Sequence, residues 1–333
     1  MQIREPHYYH EFHCIASACP DSCCKEWDVQ VDPASAAYYR SLPSALGDAL
    51  RAVLADQEGD TVMLQQNARC PMWQEDGLCR IQAQLGEEAL CSVCREFPRL
   101  RHDYGDFVEF GLELSCPEAA RLILSSPAAP LISRSVPEEG EAEYEDALMQ
   151  ILLDSREQAL KLLRNPAVTP AEALASVLMY AAAVQAQIDG QGEALCEGAA
   201  LLSAARQSAS PARVCDILAF YAELEILTKS WEKRLFSPAA APDWSPAFRS
   251  LAAYGIHRYW LQAVSDYDLL SRAKLIVLSC IVVHALGGDL LQTAQQYSKE
   301  IENDIDNVDA ILDAAYTSPV FATEALLGIL FAE

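Results

Sequence analysis

The chain has 333 residues, 51% of them hydrophobic, with mean hydropathy +0.04. That is enough apolar matter for one large core or two ordinary ones and excludes general disorder. Its 48 Asp and Glu against 24 Lys and Arg give a net charge of -24, spread evenly as 20 against 10 up to Arg121 and 28 against 14 beyond it; such a surface repels phosphate backbones and argues against nucleic acid as a partner.

The opening residues Met1 to Phe12 are polar, charged and aromatic. They hold no apolar run of signal-peptide length, so the expected compartment is the cytoplasm, where thiols stay reduced. His7, His10 and His13 would align on a helix, although Tyr8-Tyr9 between them suits an extended segment as well. Nine of the twelve cysteines then fall between Cys14 and Cys116: Cys14-x4-Cys19-x3-Cys23-Cys24, Cys70-x8-Cys79, Cys91-x2-Cys94 and Cys116. In a reducing compartment these spacings read as metal-binding or catalytic before they read as disulfides. Thiolates are soft and anionic, bind zinc or iron well, and repel one another unless a cation stands between them. Adjacent Cys23 and Cys24 would not both face one site from regular structure, which suggests a second site or the core for one of them.

Zinc against iron-sulphur stays open on spacing. Only Cys91-x2-Cys94 fits a zinc knuckle, whereas iron-sulphur clusters accept more varied spacings and take four ligands each. The radical-enzyme arrangement Cys-x3-Cys-x2-Cys fails, because Glu26 stands at the third position.

Within this front region Asp32-Pro33 opens a helix through Tyr39, Glu75-Asp76-Gly77 reads as a turn, and Arg101 to Leu114 alternates like a strand pair around Asp103-Tyr104-Gly105. Residues 125–140 are rich in Pro, Ser and acid and read as a linker. Beyond it, Tyr144, Ala147, Leu148, Ile151, Leu152, Ser155, Ala159, Leu162 and Leu163 keep helical spacing. Thr169-Pro170-Ala171-Glu172 is a capping box, and Ser210-Pro211, Ser245-Pro246 and Ser318-Pro319 repeat the cap-then-Pro signal. Leu275 to Leu286 is apolar but, at 12 residues, too short to cross a bilayer, and reads as a buried helix in which Cys280 and His284 are core residues. The expected fold is mainly α: an irregular cysteine-rich metal domain with little strand (1–124), a linker (125–140) and an α-helical bundle (141–333) of seven to nine helices.

The front blocks carry a resemblance. Phe12-x-Cys14-x4-Cys19-Pro20-Asp21-Ser22-Cys23-Cys24-Lys25-Glu26-Trp27-Asp28, Cys70-Pro71, Gly77-Leu78-Cys79-Arg80-Ile81-Gln82, Leu85-Gly86, Cys94-Arg95-Glu96-Phe97-Pro98-Arg99 and Leu114-Ser115-Cys116-Pro117-Glu118-Ala119-Ala120-Arg121 resemble the flagellin lysine N-methylase family over the first 121 residues. The resemblance implies a [4Fe-4S] enzyme that methylates surface lysines of flagellin with S-adenosylmethionine as donor. Its cysteines fall on Cys14, Cys19, Cys23, Cys24, Cys70, Cys79, Cys94 and Cys116, with Cys91 ranked lowest. Eight candidates for a four-ligand cluster leave either two metal sites or some structural or redox-active thiols.

Methylation asks that a lysine of pKa near ~10.4 lose its proton, which needs a base or a dry pocket. Candidates for the base are Asp28, Asp32, Tyr8, Tyr9 and Tyr104; Trp27 and Trp73 are candidates for holding the lysine or sulphonium cation, and Arg95, Arg99 and Arg101 for receiving the donor's carboxylate. No strand leads into a Gly-x-Gly turn and helix, so the usual donor site is missing. The rival is a non-enzymatic zinc- or iron-chelating protein whose acidic helical domain binds a basic partner; a third reading, a thiol redox protein, rests on Cys91 and Cys94.

Overall fold

The fold comes from a computed structural model that describes residues 1–25, 27, 29–57, 59–137, 140–192 and 197–332. Its front third is made of short elements: β1 (Gln2–Glu5), β2 (Val29–Val31), α1 (Pro33–Ser41), α2 (Ala45–Arg51), β3 (Leu54–Gln57), β4 (Asp60–Met63), α3 (Arg80–Leu85), α4 (Ser92–Glu96), β5 (Arg99–Asp103), β6 (Phe107–Leu112), α5 (Pro117–Ser125) and β7 (Ile132–Ser135). The expected helix after Asp32 and the strand pair around Asp103-Tyr104-Gly105 are both present, the latter turning where Gly105 takes φ +86° and donates its N–H to Asp103 Oδ1 at 3.0 Å.

The expectation of little strand needs correcting. Among the described residues seven strands form a four-stranded sheet in the order β5-β6-β1-β7 and a three-stranded one in the order β2-β4-β3. β1 runs parallel to β6, with Gln2 opposite Phe107, and antiparallel to β7, with Gln2 opposite Ser135. β7 lies inside the Pro- and acid-rich stretch 125–140 and is exposed along its length. Strands of three to six residues give too few alternations to stand out, and no local pattern announces partners so distant in the chain.

Apolar packing makes two cores. The smaller gathers Val29, Val31, Tyr39, Leu50, Met63, Met72 and Ile81 around the buried Cys70 and Cys91. The larger takes Phe12, Phe107, Leu112 and Leu114 together with the helices that follow. The segment 29–94 is thus a lobe with its own core, carried between β1 and β5.

From Asp146 the described residues form ten helices: α6 (Asp146–Leu163), α7 (Pro170–Ile188), α8 (Gly198–Ser208), α9 (Val214–Tyr221), α10 (Lys229–Phe236), α11 (Ala247–Tyr259), α12 (Leu269–Leu286), α13 (Leu290–Tyr297), α14 (Ile305–Thr317) and α15 (Thr323–Leu330). That exceeds the expected seven to nine because several are only two turns long. The α7 start is the anticipated capping box: Glu172 N–H donates to Thr169 Oγ1 at 3.2 Å, and Thr169 N–H donates to Glu172 Oε2 at 2.7 Å. Ser245-Pro246 stands directly before α11, and Ser318-Pro319 opens only one 3-10 turn, Pro319–Phe321. Ser210-Pro211 opens no helix; Ser210 N–H is instead taken by the Glu324 carbonyl at 2.9 Å, and α9 begins at Val214.

α12 packs against α7, α11, α13 and α14. By length and composition alone α7 and α12 pass for bilayer spans, but 89% of the α12 window is covered by the protein's own helices, which is the ordinary reason for a helix apolar on every side. Cys280 is fully buried there, and His284 stacks on Trp244 at 4.1 Å, so this pair is core as expected. Between α13 and α14 the chain passes through a π-helical turn, Ser298–Glu302. Such turns are rare and recur at functional sites.

Candidate functional site

The small lobe gathers six thiols from separate segments. Cys23 and Cys24 sit in a turn rather than regular structure. The Cys70 N–H binds the Cys24 carbonyl at 2.7 Å, and the thiols of Cys23, Cys24 and Cys70 hydrogen-bond in a chain. Cys24 also packs against the small core while Cys23 lines the cleft described below, so the expectation that one of the adjacent pair turns toward the core holds in part. Cys91 precedes the first residue of α4, Cys94 lies one turn on, and their thiols hydrogen-bond to each other. Cys79 and Cys94 both feel the charge of Cys23 and Cys70. Cys91, ranked lowest from the sequence, thus stands within the group. Cys14, Cys19 and Cys116 form a second neighbourhood, linked to the first through Cys23.

The thiols share protons unequally. Hydrogen bonding from Cys24, against the opposing effect of burial, lowers Cys70 to about 7. Cys24 and Cys94, as donors, are pushed far up by the same hydrogen bonds. Burial raises Cys116 to about 11. In donor chemistry this set suits a thiophilic metal, although among the described residues no three His, Cys, Asp or Glu side chains form a ready-made metal site.

The proposed base residues fare differently. Asp32 Oδ1 accepts the Ser35 N–H and Oδ2 the Ser92 N–H, both at 2.9 Å, so one carboxylate joins the starts of α1 and α4. These backbone donors hold it well below the usual carboxylate range, which makes it a poor base. Asp32→Ala will lower stability by about 1–2 kcal/mol, as loss of a cap does, and Asn will rescue it only in part, because its single side-chain oxygen can accept from Ser35 or from Ser92 but not from both; urea denaturation midpoints check this. Tyr104 stacks on Phe107 at 4.8 Å, and burial pushes both its hydroxyl and that of Tyr8 far above the ordinary value. Tyr9 is raised for the same reason. Asp28 lies outside the described residues.

Of the arginines, Arg95 pairs with Glu96 at 3.9 Å, Arg99 covers the Phe12 ring at 5.3 Å, and Arg101 pairs with Asp103 at 2.6 Å. None lines the cleft beside Cys23. Trp73 has its face taken by Arg69 at 3.9 Å, and His10 meets Glu5 at 2.8 Å. Trp27 is better placed: its indole N–H donates to the Cys23 carbonyl at 2.9 Å, and its ring lines the cleft.

That cleft, of about 460 Å³, opens where the cysteine turn meets the helical part. Cys23 and Trp27 form one wall, Phe97, Glu113 and Ser115 another, and the π-helical turn closes it with Glu300 and Glu302. Asp21, two residues before Cys23, ties the walls together. Its Oδ2 accepts from Gln295 Nε2 at 2.7 Å, it pairs with Lys25 at 2.6 Å and with Lys299 at 3.3 Å, and Gln295 also reaches the Ser115 carbonyl at 2.8 Å. Glu302 is held from behind by Tyr254 at 2.8 Å, Tyr259 at 3.0 Å and Arg258 at 3.5 Å. Burial pushes the Glu113 carboxyl up, with Arg258 opposing and Glu302 adding to the shift.

Sequence reasoning found Trp27 and the cysteines and missed the acidic wall. The spacing of Tyr254, Arg258 and Tyr259 was a usable signal, but their acidic partner lies more than 40 positions away.

Over 142 residues the chain is 34% identical to the flagellar biosynthetic protein FliU of Salmonella muenchen, a match covering 39% of this chain and 80% of that protein. The chain belongs to the flagellin lysine-N-methylase (FliU) family. It is also 33% identical over 146 residues to lysine-N-methylases of Salmonella choleraesuis and Salmonella typhimurium, covering 40% of this chain and 35% of each of theirs. The match therefore spans about a third of the length of those two relatives. No family profile and no solved structure matches.

Proposed function

We propose that the protein is a cytoplasmic iron-sulphur protein lysine N-methyltransferase, taking its methyl group from S-adenosylmethionine and acting on surface lysines of flagellin or a similar protein. Beside the kinship with lysine-N-methylases, the observation that carries this reading is the acid-and-aromatic cleft abutting Cys23. A protein that only chelated metal would have no need of a cation-shaped recess beside its thiols.

The residues divide the work. Cys23, Cys24, Cys70, Cys79, Cys91 and Cys94 are the thiols from which a [4Fe-4S] cluster would draw its four ligands, leaving Cys14, Cys19 and Cys116 for a second metal or a structural role. When bound, such a cluster neutralises the thiolates and cross-links the segments that carry them. Trp27 and Phe97 offer π-faces to an alkyl cation, each such contact being worth roughly 0.5–2 kcal/mol. The acceptor lysine must shed its proton before its nitrogen attacks the methyl carbon, and the carboxylates of the cleft are the groups placed to take that proton.

Protein purified without oxygen will contain iron and acid-labile sulphide in equal amounts, near ~4 each for one cubane cluster. It will pass radiolabelled methyl from S-adenosylmethionine to flagellin lysines. Zinc without sulphide would sink the iron-sulphur assignment, and no transfer by an iron-loaded preparation would return the protein to the chelating class.

A further inference from the structure

Not every acid in the cleft is free to meet a ligand. Glu300 accepts the Leu227 N–H at 2.8 Å and the Thr228 hydroxyl. Asp304 caps α14 through the Asn307 N–H at 3.0 Å, and Glu302 is engaged by Tyr254, Tyr259 and Arg258. These three hold the fold together. Glu113 has the Ser115 hydroxyl as its side-chain neighbour, which lowers its carboxyl against the larger effect of burial, and neither Glu113 nor Glu225 has an ion pair among the described residues.

Both are nevertheless fixed in place. Glu113 follows β6 directly, its N–H bound to the Pro98 carbonyl at 2.8 Å. Glu225 sits at the exposed edge of the cleft, and the buried Asn307 grips its backbone from both sides: Oδ1 accepts the Glu225 N–H and Nδ2 donates to the Glu225 carbonyl, each at 2.9 Å. A separate observation points to a ligand. Ser115 is only 5% exposed and lines the same cleft; its Oγ lies close enough to Glu113 to influence that carboxyl but meets no partner at full hydrogen-bond distance. A buried hydroxyl without a full-strength hydrogen bond is unfavourable, and an incoming polar group would supply the missing partner.

We infer that this cleft is the acceptor site: an extended lysyl side chain enters past Glu225, its methylenes lie between Trp27 and Phe97, and its ammonium group meets Glu113 and the Ser115 hydroxyl. The inference deepens the methyltransferase reading and rests on it for the identity of the cation. A lysyl side chain suits the wall better than the methyl donor does, because the donor's own carboxylate would face these acids. The two lysines at the cleft, Lys25 and Lys299, are already drawn to Asp21.

The test uses the full-length, iron-loaded protein and two probes, Nα-acetyl-lysine methylamide and its norleucine counterpart, followed by ligand-observed NMR titration. The lysine probe is expected to bind saturably and the norleucine probe not. Glu225→Gln and Glu113→Gln should each weaken lysine-probe binding about tenfold or more, the loss of one charge-assisted contact, with iron content unchanged. In the transfer assay the same variants should raise KM for a lysine peptide and leave KM for S-adenosylmethionine alone. Unchanged probe binding in both variants overturns the inference, as does a rise confined to the donor's KM. A wild-type protein that binds the lysine probe but transfers no methyl would sink the enzymatic reading and leave the lysine site standing. Methyl transfer that survives both substitutions with the same KM would do the reverse.

Discussion

Arg156→Leu will destabilise the protein by about 3–5 kcal/mol, the cost of leaving a buried carboxylate without its partner. Arg156 in α6 and Glu109 in β6 face each other as a bidentate pair, with Nη1 to Oε2 at 2.6 Å and Nη2 to Oε1 at 2.7 Å. Both side chains are almost wholly buried, at 8% and 3% exposure. The pair fastens the four-stranded sheet to the first helix of the helical region, so the loss should appear as a lower midpoint of a single cooperative urea transition. Arg4, at 3.7 Å and partly exposed, is too distant to replace the missing contacts. Replacing both partners with Met should cost far less, since breaking a buried pair is worse than removing it. Equal losses in the single and double variants would show that the pair itself stabilises the fold.

The pH dependence follows from the same pair. Burial alone would raise the Glu109 carboxyl, but Arg156 outweighs it and holds the group below its ordinary value. A carboxyl depressed in the folded state binds its proton less readily there than in the unfolded chain, whose value is about 4.3. Its contribution is therefore complete above about pH 4.3 and fades as pH falls through the lower folded value. In Arg156→Leu burial is no longer opposed by Arg156, so Glu109 is raised and takes up a proton in the folded variant; the gap between wild type and variant should therefore narrow as pH falls, starting above about pH 4.3. A gap that stayed constant down to about pH 4.3 would mean that Glu109 is not the group left unpaired.

Trp260→Ala is the second large effect, with an expected loss of about 3–5 kcal/mol from the emptied volume. Trp260 is fully buried in the 3-10 segment after α11, and its indole N–H donates to Ser155 Oγ on α6 at 3.0 Å. Ser155, itself 3% exposed, passes its own proton to the Leu152 carbonyl at 3.1 Å. Removal of the indole thus takes away apolar contact and leaves an acceptor unmet at once. Trp260→Phe should recover much of the packing and none of the hydrogen bond, and so fall between the two. Calorimetric midpoints for the three proteins would reveal the order; equal values for Phe and Ala would mean that the hydrogen bond dominates.

What could be read from the chain tracks the range of the interactions involved. The α7 capping box and the apolar Leu275 to Leu286 run of α12 depend on neighbours three or four residues apart, and both are where the residue pattern puts them. Trp27 was legible as a cation-binding candidate and does line the cleft, whereas Arg95 and Arg99, equally plausible by type, are occupied elsewhere. The acidic wall was not legible, because Glu113 sits at a strand end and Glu300 and Glu302 sit in a π-helical turn that composition does not mark. The grouping of thiols was hidden for a related reason. Spacing along the chain could not tell that Cys24 meets Cys70 across 46 positions.

The place of β1 in its sheet sets an order of assembly. Gln2 must wait for Phe107, 105 positions later, before its parallel partner exists, and at synthesis rates of about 5–20 residues per second that is roughly 5–20 s. The lobe 29–94, with a core of its own, leaves the ribosome complete during that wait, carrying all six grouped thiols but Cys23 and Cys24 within its span and those two just ahead of it. Its thiols are then reachable from the side that α13, the π-helical turn and α14 will later close. Under the proposed iron-sulphur reading, metal loading is easiest in that interval, because in the finished fold only Cys14 and Cys23 of the nine front cysteines remain exposed.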